Sequence, residues 1–445
     1  MKLEISHIIG ILFVLSLIGI SGIYSGKNIK KASDFIDGGG KARAWIVAGT
    51  IMGTLVSGQA TVGTAQLAFS FGMSAWWFTL GSGIGCLILA LFYVKKMRQS
   101  KHKTIVGVIT EEYGKKSGYV ASVLSALGIF ISVISQILAS TALLTTILPI
   151  NMQTAAIISI TIMAVYIIFG GVLGAGLSGV IKLFFLYLSS IIGGILVLHI
   201  SGGISGLQNT ISNTLVQTDL GSINGIVNSV DLGNRYGSLF SRGIIKDLGS
   251  GLSLILGVLS TQTYASAIWS AKGSPEAKRG ALLSAFLIPP IGIMCILIGL
   301  FMRGQCITAA EVGQLLALGK SIPGNLIQIE STSQVFPAFI VHYLPNLFGG
   351  VVLGTLLIAI VGGGAGLSFG VATIITNDII GRFTNWVDLP ERKLATTRSI
   401  IILVLIASSY IAAMMPSAVI NDFGYLSMGL RGTVGFVPLT AASRN

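Results

Sequence analysis

The chain has 445 residues, of which 53% are hydrophobic and only 10% are charged, and its mean hydropathy is +0.86. Soluble domains carry about 25% charged residues, so this composition excludes an ordinary soluble protein. The formal net charge is +13, but the basic residues cluster between apolar segments. They therefore predict membrane topology, and we expect the lipid bilayer, with no nucleic acid, as a partner.

Eleven apolar segments are long enough to cross a bilayer as helices. A crossing needs about 20 residues at a rise of about 1.5 Å per residue, and lipid favours helices because it leaves no backbone group a partner. The first segment lacks a small-residue cleavage site, so we interpret it as a retained helix. The segments are 7–25, 45–70, 73–94, 118–148, 153–171, 175–200, 248–270, 280–302, 346–376, 397–414 and 421–441.

The basic residues lie mostly in the odd-numbered connections, such as 27–43 and 95–116. The positive-inside rule places these connections in the cytoplasm. We therefore expect an integral protein of the cytoplasmic (cell) membrane, with its N-terminus outside and a single transmembrane domain over residues 1–445. The long outer connections 201–245 and 303–345 predict short lid helices.

No enzyme chemistry is visible within the apolar segments. The three cysteines are isolated and the four histidines are scattered, which argues against a disulfide framework or a metal site. Neither a nucleophile with its base nor a pair of acids occurs within the segments. A channel would need a repeated filter or a pore-lining ring, which is absent. We expect no catalytic residues, no metal beyond a sodium ion, and no cofactor.

Segment 45–70 combines glycine with polar residues in a way that weakens a continuous helix. Gly53, Gly58 and Gly63 alternate with hydroxyl and amide side chains. Transporters use such interruptions to present carbonyls to ions and substrates, whereas the alternative is close helix packing through small residues. The glycine run 361–366 predicts a second weak point.

Several motifs occur in a fixed order along nearly the whole chain. Together they resemble the sodium/solute symporter family, which includes sodium-coupled proline, sialic acid and sugar transporters. The matching positions are Ser57 to Gly72 with Gly63, Ala68 and Phe69; Gln136; Tyr166, Phe169, Gly170 and Gly171; Gln262; the turn 271–280; Asn377, Asp378 and Ile379; and Arg431, Gly432 and Pro438.

The resemblance implies an all-α polytopic membrane protein with about 11 transmembrane helices. Its LeuT-type fold would have an inverted five-helix repeat and one extra N-terminal helix. Here 7–25 would be the leading helix, 45–200 the first repeat and 248–441 the second. The implied function is secondary active transport of a small organic solute by alternating access.

The resemblance also implies a sodium site, which this chain matches only in part. The carbonyls of Gly53, Val56 and Ala359 align with conserved ligands, but the two hydroxyl ligands fall on Gly362 and Gly363. Glycine offers no side-chain oxygen to a hard cation. The hypothesis is therefore a sodium-independent or proton-coupled transporter, and the coupling ion, sodium or proton, stays open.

Lys182 marks a second departure from the family. The family usually shows Thr-Asp-x-x-Gln where this chain has Ser178 to Lys182, so an acid is lost and a lysine is gained. One interpretation is that Lys182 snorkels to the headgroups. The other is that its ammonium occupies the emptied cation site, where burial penalises the charge and makes protonation a candidate coupling event.

Amide and hydroxyl side chains are the candidate contacts of the solute. They suit a neutral, zwitterionic or anionic molecule, and the alternative for each glutamine is an interhelical hydrogen bond. Two other functions stay open: a solute sensor that does not transport, and a conventional sodium symporter with a remodelled ion site. The candidate residues are Ser57, Gln59, Thr61, Gln136, Gln262, Thr263 and Tyr264.

Overall fold

The computed structural model describes residues 4–26, 40–99, 104–216, 219–226, 228–385, 389–415 and 418–435, without the side chains of 18–26, 168–178, 219, 222, 390 and 435. This part of the chain is mostly helical, as predicted. Pro438, in the last motif of the resemblance, lies outside the described residues, as do the side chains of Phe169 to Gly171.

The first half of the chain forms seven of the described helices. A π-helical turn, Gln59–Gly63, precedes α3, and a 3-10 turn, Gly72–Trp76, follows it. The helices are α1 (Ile5–Gly26), α2 (Ala44–Leu55), α3 (Thr64–Phe71), α4 (Trp77–Ile88), α5 (Val94–Gln99), α6 (Ile105–Ile147, kinked at the non-helical Gly114) and α7 (Met152–Ser201).

The second half begins with short helices outside the long spans and includes a small parallel sheet. Short helices occur in both long connections, as predicted, and connection 303–345 also contains two strands that were not predicted. A lid role for these helices stays a prediction. The elements are α8 (Gly203–Leu215), α9 (Asp219–Asn224), α10 (Ser229–Leu232), α11 (Ile244–Ser260), α12 (Gln262–Ser270), α13 (Ser274–Arg303), β1 (Cys306–Thr308), α14 (Ala309–Ala317), β2 (Ile327–Ile329), α15 (Val335–Tyr343), α16 (Asn346–Ile374), α17 (Pro390–Ala413) and α18 (Ile420–Gly435).

Six helical runs in the described residues are long and apolar enough to cross a membrane. The pair α11 and α12 counts as a seventh if its 45° bend belongs to one span, and three shorter apolar helices add to these. The exact number of eleven crossings and the inverted repeat stay predictions. Helix α7 covers the separate segments 153–171 and 175–200 as one run of helical backbone. It bends between them, because Tyr166 and Lys182 both border Gly362 of α16, whereas a straight helix would hold them about 24 Å apart.

Glycines bring α2 and α7 into close contact. A Cβ added to Gly179 would collide with the main-chain carbonyl of Gly49, so these two backbones touch. One helical turn further on, Gly53 of α2 and Lys182 of α7 face each other, because residues three or four apart share a helix face. Backbone proximity at the first pair therefore determines the contact at the second.

The glycine run 361–366 does not weaken its helix, so that prediction was wrong. Helix α16 continues through it to Ile374. A Cβ on Gly366 would lie 2.8 Å from the Oγ1 of Thr54, and one on Gly364 would lie 2.6 Å from the sulfur of Met163. Tertiary packing against α2 and α7 therefore uses the glycines as close-contact positions.

Candidate substrate and coupling site

The chain unwinds between α2 and the π-helical turn Gln59–Gly63. Val56 leaves the helical region with ψ of 80°, and the Ser57 N–H donates to the Leu55 carbonyl at 3.1 Å. The Gly53 carbonyl therefore lacks the donor that a continuous helix would supply four residues later. The predicted interruption of segment 45–70 is confirmed, and it leaves a main-chain acceptor inside the bundle.

Gln136 of α6 holds this unwound segment in place. Its Oε1 accepts a hydrogen bond from the Gly58 N–H at 3.1 Å, and its Nε2 donates to the Ser57 hydroxyl at 2.8 Å. Gln136 is fully buried. Two of the predicted substrate contacts, Ser57 and Gln136, thus bond to each other, and Gln136 compensates a backbone donor that the missing helical turn would leave unpaired.

Lys182 reaches the free carbonyl from the facing helix. Its ammonium donates to the main-chain carbonyl of Gly53 and, at 3.3 Å, to that of Ala359 on α16. The residue is 1% exposed, so its side chain does not extend toward solvent. The structure therefore brings together Lys182, Gly53 and Ala359, while Val56 is buried in the unwound segment and is not an acceptor for this ammonium.

The glycines at the two hydroxyl positions have different neighbours, and one of them adjoins this ammonium. A Cβ on Gly362 would lie 3.3 Å from Lys182 Nζ and 3.7 Å from the Tyr166 hydroxyl. A Cβ on Gly363 would lie 2.5 Å from the Cβ of Ser57. Gly362 therefore borders the space that the ammonium fills, whereas Gly363 allows α16 to approach the unwound segment.

No carboxylate pairs with Lys182 in the described part of the chain. The buried acids there are Asp247 and Glu311, and they pair with Arg242 and Arg303 at 2.7 Å each. A charge in the membrane interior is costly unless it is paired or solvated by dipoles. Main-chain carbonyl dipoles supply that solvation for Lys182.

A second bend separates α11 from α12 at Thr261. The two helices meet at 45°, a break that the sequence did not predict. The three adjacent candidate residues are buried. Gln262 accepts a hydrogen bond from the Ile105 N–H at 3.1 Å and so contacts the start of α6, while Thr263 donates to the Gly366 carbonyl at 3.2 Å. Tyr264 lies on the same short helix.

Two buried amides near the π-helical turn have hydrogen-bonding groups without partners. These are Gln59 Nε2 and both polar atoms of Asn421 on α18, with exposures of 3% and 0%. A Cβ on Gly424 would lie 3.2 Å from Gln59 Nε2, so Gln59 borders α18. Asn421 was missed from the sequence, where its only signal is an amide at the start of the last apolar segment. By contrast, Thr61 donates to the Ser57 carbonyl at 2.8 Å.

Arg431 of α18 is a second polar residue that the substrate prediction missed. It is fully buried and donates to the Ser132 hydroxyl at 3.1 Å and to the Met428 sulfur at 3.0 Å. Its Nε and Nη1 groups have no hydrogen-bond partner among the described residues. The motif that carries Arg431 was visible in the sequence, but its burial was not.

The end of α3 is covered by charged side chains. Arg235 donates to the Ser70 carbonyl at 2.9 Å and lies over the Phe71 ring, and Arg303 lies 4.6 Å from the Phe69 ring centroid. Arg303 pairs with Glu311, whose pKa burial alone would raise. The guanidinium and the hydrogen bonds from Thr308 and Asn224 instead hold the pKa of Glu311 below its usual range.

The opposite ends of the helices are tied together as well. The Ala44 N–H at the start of α2 donates to the Glu276 carboxylate at 2.7 Å, and the Lys272 N–H donates to the Ala42 carbonyl at 2.9 Å. Thr104 donates to Asp378 at 2.8 Å. These hydrogen bonds join the start of α2 to the start of α13, and the residue before α6 to the segment that follows α16.

The profile named "Sodium:solute symporter family" matches residues 35–434. The chain belongs to this family. The family and the relatives it matches are transporters, not enzymes. The chain is 23% identical over 397 residues to the sodium/glucose cotransporter of Vibrio parahaemolyticus, covering 87% of this chain and 70% of that protein.

Other relatives are matched over less of their length. The chain is 21% identical to the "Uncharacterized symporter YwcA" of Bacillus subtilis, covering 71% of this chain and 61% of that protein. It is 26% identical to the human high affinity choline transporter 1, covering 64% and 48% respectively. The chain therefore spans about half to two thirds of the length of these two relatives.

A solved structure shows the same fold. The substrate-bound, outward-open state of a Na+-coupled sialic acid symporter superimposes with a TM-score of 0.72 and 19% identity, covering 98% of this chain and 87% of that one. This likeness shows that the two chains share a helical fold. At this identity it carries no information about the solute of the present chain.

Proposed function

We propose that this protein is a secondary active transporter of a small organic solute, in which the Lys182 ammonium replaces the sodium ion of its family. One observation carries the proposal. The ammonium donates hydrogen bonds to the carbonyls of Gly53 and Ala359, two of the three carbonyls that the family resemblance assigns to sodium. The proposed location is the cell membrane, with the N-terminus outside.

The gain of Lys182 and the loss of hydroxyl groups at positions 362 and 363 explain each other chemically. An ammonium group carries one positive charge, as sodium does, and offers three donors that carbonyl oxygens can accept. Glycine at 362 and 363 removes the hydroxyl oxygens that sodium would need, and Gly362 leaves space beside Lys182 Nζ. Loss of the ligands and gain of a tethered cation would thus keep the charge at the junction of α2, α7 and α16.

Protonation of Lys182 gives a coupling mechanism. The protonated amine joins α7 to the carbonyls of α2 and α16, whereas the neutral amine lacks the charge that attracts these dipoles. The Tyr166 hydroxyl is a second titratable group that borders Gly362, and no buried carboxylate of the described residues pairs with Lys182. Proton release would loosen α2 from α7 and permit the site to open.

The solute is expected to bind beside the unwound segment. Gln59 Nε2 and both polar atoms of Asn421 have no partner in the described residues, and buried polar groups are normally paired. A solute with hydroxyl, amide or carboxyl groups would satisfy them. The relatives are named for glucose and choline, and the solved neighbour for sialic acid, so we infer only a small organic molecule with hydrogen-bonding groups.

Uptake into proteoliposomes tests the proposal. Pooled labelled sugars, amino acids and carboxylates are offered under a sodium gradient alone or a proton gradient alone. Accumulation that follows the proton gradient and ignores sodium is the expected result. Accumulation driven by sodium would overturn the replacement of sodium by Lys182 and identify a conventional symporter. Solute binding without accumulation under either gradient would identify a sensor.

A further inference from the structure

A cavity on the outside of the bundle lies across the seam between α2 and α13. Its volume is about 540 Å³, and it is bordered at one end by Arg43 and Arg279. The remainder is mostly apolar and includes Trp45 and Phe286, which are 62% and 70% exposed. We propose that this cavity binds one anionic phospholipid, with its phosphate at the two guanidinium groups.

The charges around the cavity favour an anion. The single carboxylate in the lining, Glu276, accepts a hydrogen bond from the Ala44 N–H at 2.7 Å and lies 3.7 Å from the Arg279 guanidinium. Arg43 forms no ion pair among the described residues. Basic pockets between transmembrane helices commonly bind anionic headgroups, and guanidinium groups match phosphate oxygens in geometry.

The apolar lining fits an acyl chain. Leu283, Phe286 and Leu287 follow Arg279 along one face of α13, because positions three to four apart align on a helix. Trp45 stands beside them at the start of α2. A tryptophan at this level is typical of the membrane interface. The cavity thus passes from basic to apolar along the direction in which a phospholipid passes from headgroup to tail.

Occupancy of this cavity would act on the coupling site. Helix α2 begins at the cavity, and nine residues further along it carries the Gly53 carbonyl that accepts from Lys182. A Cβ on Gly280 would lie 2.6 Å from Val47, so α13 already packs tightly on α2. A phospholipid bridging Arg43 and Arg279 would therefore contact both helices at this end.

Quenching of Trp45 fluorescence tests the site without any transported solute. Brominated phosphatidylglycerol and brominated phosphatidylcholine are titrated into the protein in neutral detergent. We expect brominated phosphatidylglycerol to quench saturably, and at a lower concentration than brominated phosphatidylcholine. This saturable quenching should be lost in Trp45→Phe. The double variant Arg43→Gln, Arg279→Gln should bind about thirtyfold more weakly, since each basic residue contributes about 1 kcal/mol and 1.4 kcal/mol is tenfold.

Lys272 and Lys278 provide the matched control. Both are exposed residues near the start of α13 that do not line the cavity. The double variant Lys272→Gln, Lys278→Gln removes the same charge as the double arginine variant. Phosphatidylglycerol should quench its fluorescence as it does that of the unmodified protein. Equal weakening in both double variants, or equal quenching by both lipids, would overturn the site. A dimeric mass with no quenching would show that a second copy covers this face.

Discussion

The Lys182 ammonium lies 3.3 Å from the carbonyl oxygen of Ala359, a position at which the family resemblance places a sodium ligand. A side chain of α7 therefore joins α16 to the unwound end of α2 through main-chain acceptors. This relationship links two departures of the sequence from its family, because Gly362, which lacks a ligand oxygen, borders Lys182, which brings the charge.

Removing the charge of Lys182 should abolish proton coupling. In Lys182→Gln the amide can still donate to a carbonyl, but it cannot titrate. We expect the pH dependence of uptake to be lost. We also expect the free energy of unfolding to fall by about 1.5–3 kcal/mol, the contribution of a hydrogen bond to a charged group. The measurement is uptake against pH in proteoliposomes.

The exposed Lys246 gives the control, because Lys246→Gln removes a lysine from the surface. It should retain the pH profile of the unmodified protein. If Lys182→Gln also retains that profile, protonation of Lys182 is not the coupling event.

A sodium site should be restorable. In the double variant Lys182→Ala, Gly362→Ser, the hydroxyl enters the space that borders the ammonium, beside the carbonyls of Gly53 and Ala359. We expect sodium to raise the melting temperature. A concentration of about ten times the Kd stabilises by about 1.4 kcal/mol, and potassium should have no such effect.

Serine at position 363 should behave differently. A Cβ there would lie 2.5 Å from the Cβ of Ser57, so Gly363→Ser should destabilise the protein by about 1–3 kcal/mol through overpacking, with no gain in sodium binding. A sodium-dependent melting temperature in the unmodified protein would contradict the premise of both variants.

The sequence could predict the helical membrane fold and the unwinding of segment 45–70, because hydropathy and polar glycine-rich composition act locally. It could not distinguish that segment from the glycine run 361–366. Glycine both weakens a helix and permits close packing, and only the neighbours of α16 decide which effect prevails. The bend at Thr261 has no glycine or proline beside it, so it depends on tertiary contacts.

The candidate site could be predicted at the positions where the sequence lacks a ligand that its family has. Two absent hydroxyl groups and one added lysine are visible in the sequence, and the structure places Gly362 and Lys182 side by side. Burial is different. Asn421 and Arg431 resemble isolated polar residues of an apolar segment until the packing of α18 shows that they are buried with unpaired groups.

Gln136 should contribute to stability more than to affinity. Replacing it with leucine removes the partners of the Gly58 N–H and the Ser57 hydroxyl. Each buried group left unpaired costs about 1–3 kcal/mol, so we expect a clear fall in melting temperature. Gln328→Leu, at an exposed glutamine of β2, is the control. A normal melting temperature with lost solute affinity would instead identify Gln136 as a solute contact.

Glu311 should make the protein sensitive to acid. Its pKa is held below the usual range, so the unfolded chain binds more protons than the folded one as pH falls below about 4.3. The stabilisation is therefore present above that pH and is lost as pH falls through the folded value. At neutral pH, Glu311→Gln leaves Arg303 uncompensated and should cost about 3–5 kcal/mol.

Melting temperatures against pH measure this effect. The difference between the unmodified protein and Glu311→Gln should shrink as the solution is acidified below about pH 4. The variant Glu330→Gln, at an exposed carboxylate nearby in the same connection, provides the reference. A difference that is constant over the whole pH range would contradict the depressed pKa of Glu311.

Gln59 and Asn421 should separate solute binding from folding. Because Gln59 Nε2 and both polar atoms of Asn421 lack partners, Gln59→Ala and Asn421→Ala remove no hydrogen bond of those atoms, and the melting temperature should fall little. Each should raise the KM for uptake, by about tenfold if one solute hydrogen bond of about 1.4 kcal/mol is lost.

Ser135→Ala is the contrasting variant, because Ser135 donates to the Ile420 carbonyl at 2.7 Å at the start of α18. It should lower the melting temperature and leave the KM unchanged. If instead both amide variants transport with an unchanged KM, the solute binds elsewhere in the bundle, and the unpaired groups beside the unwound segment serve another purpose.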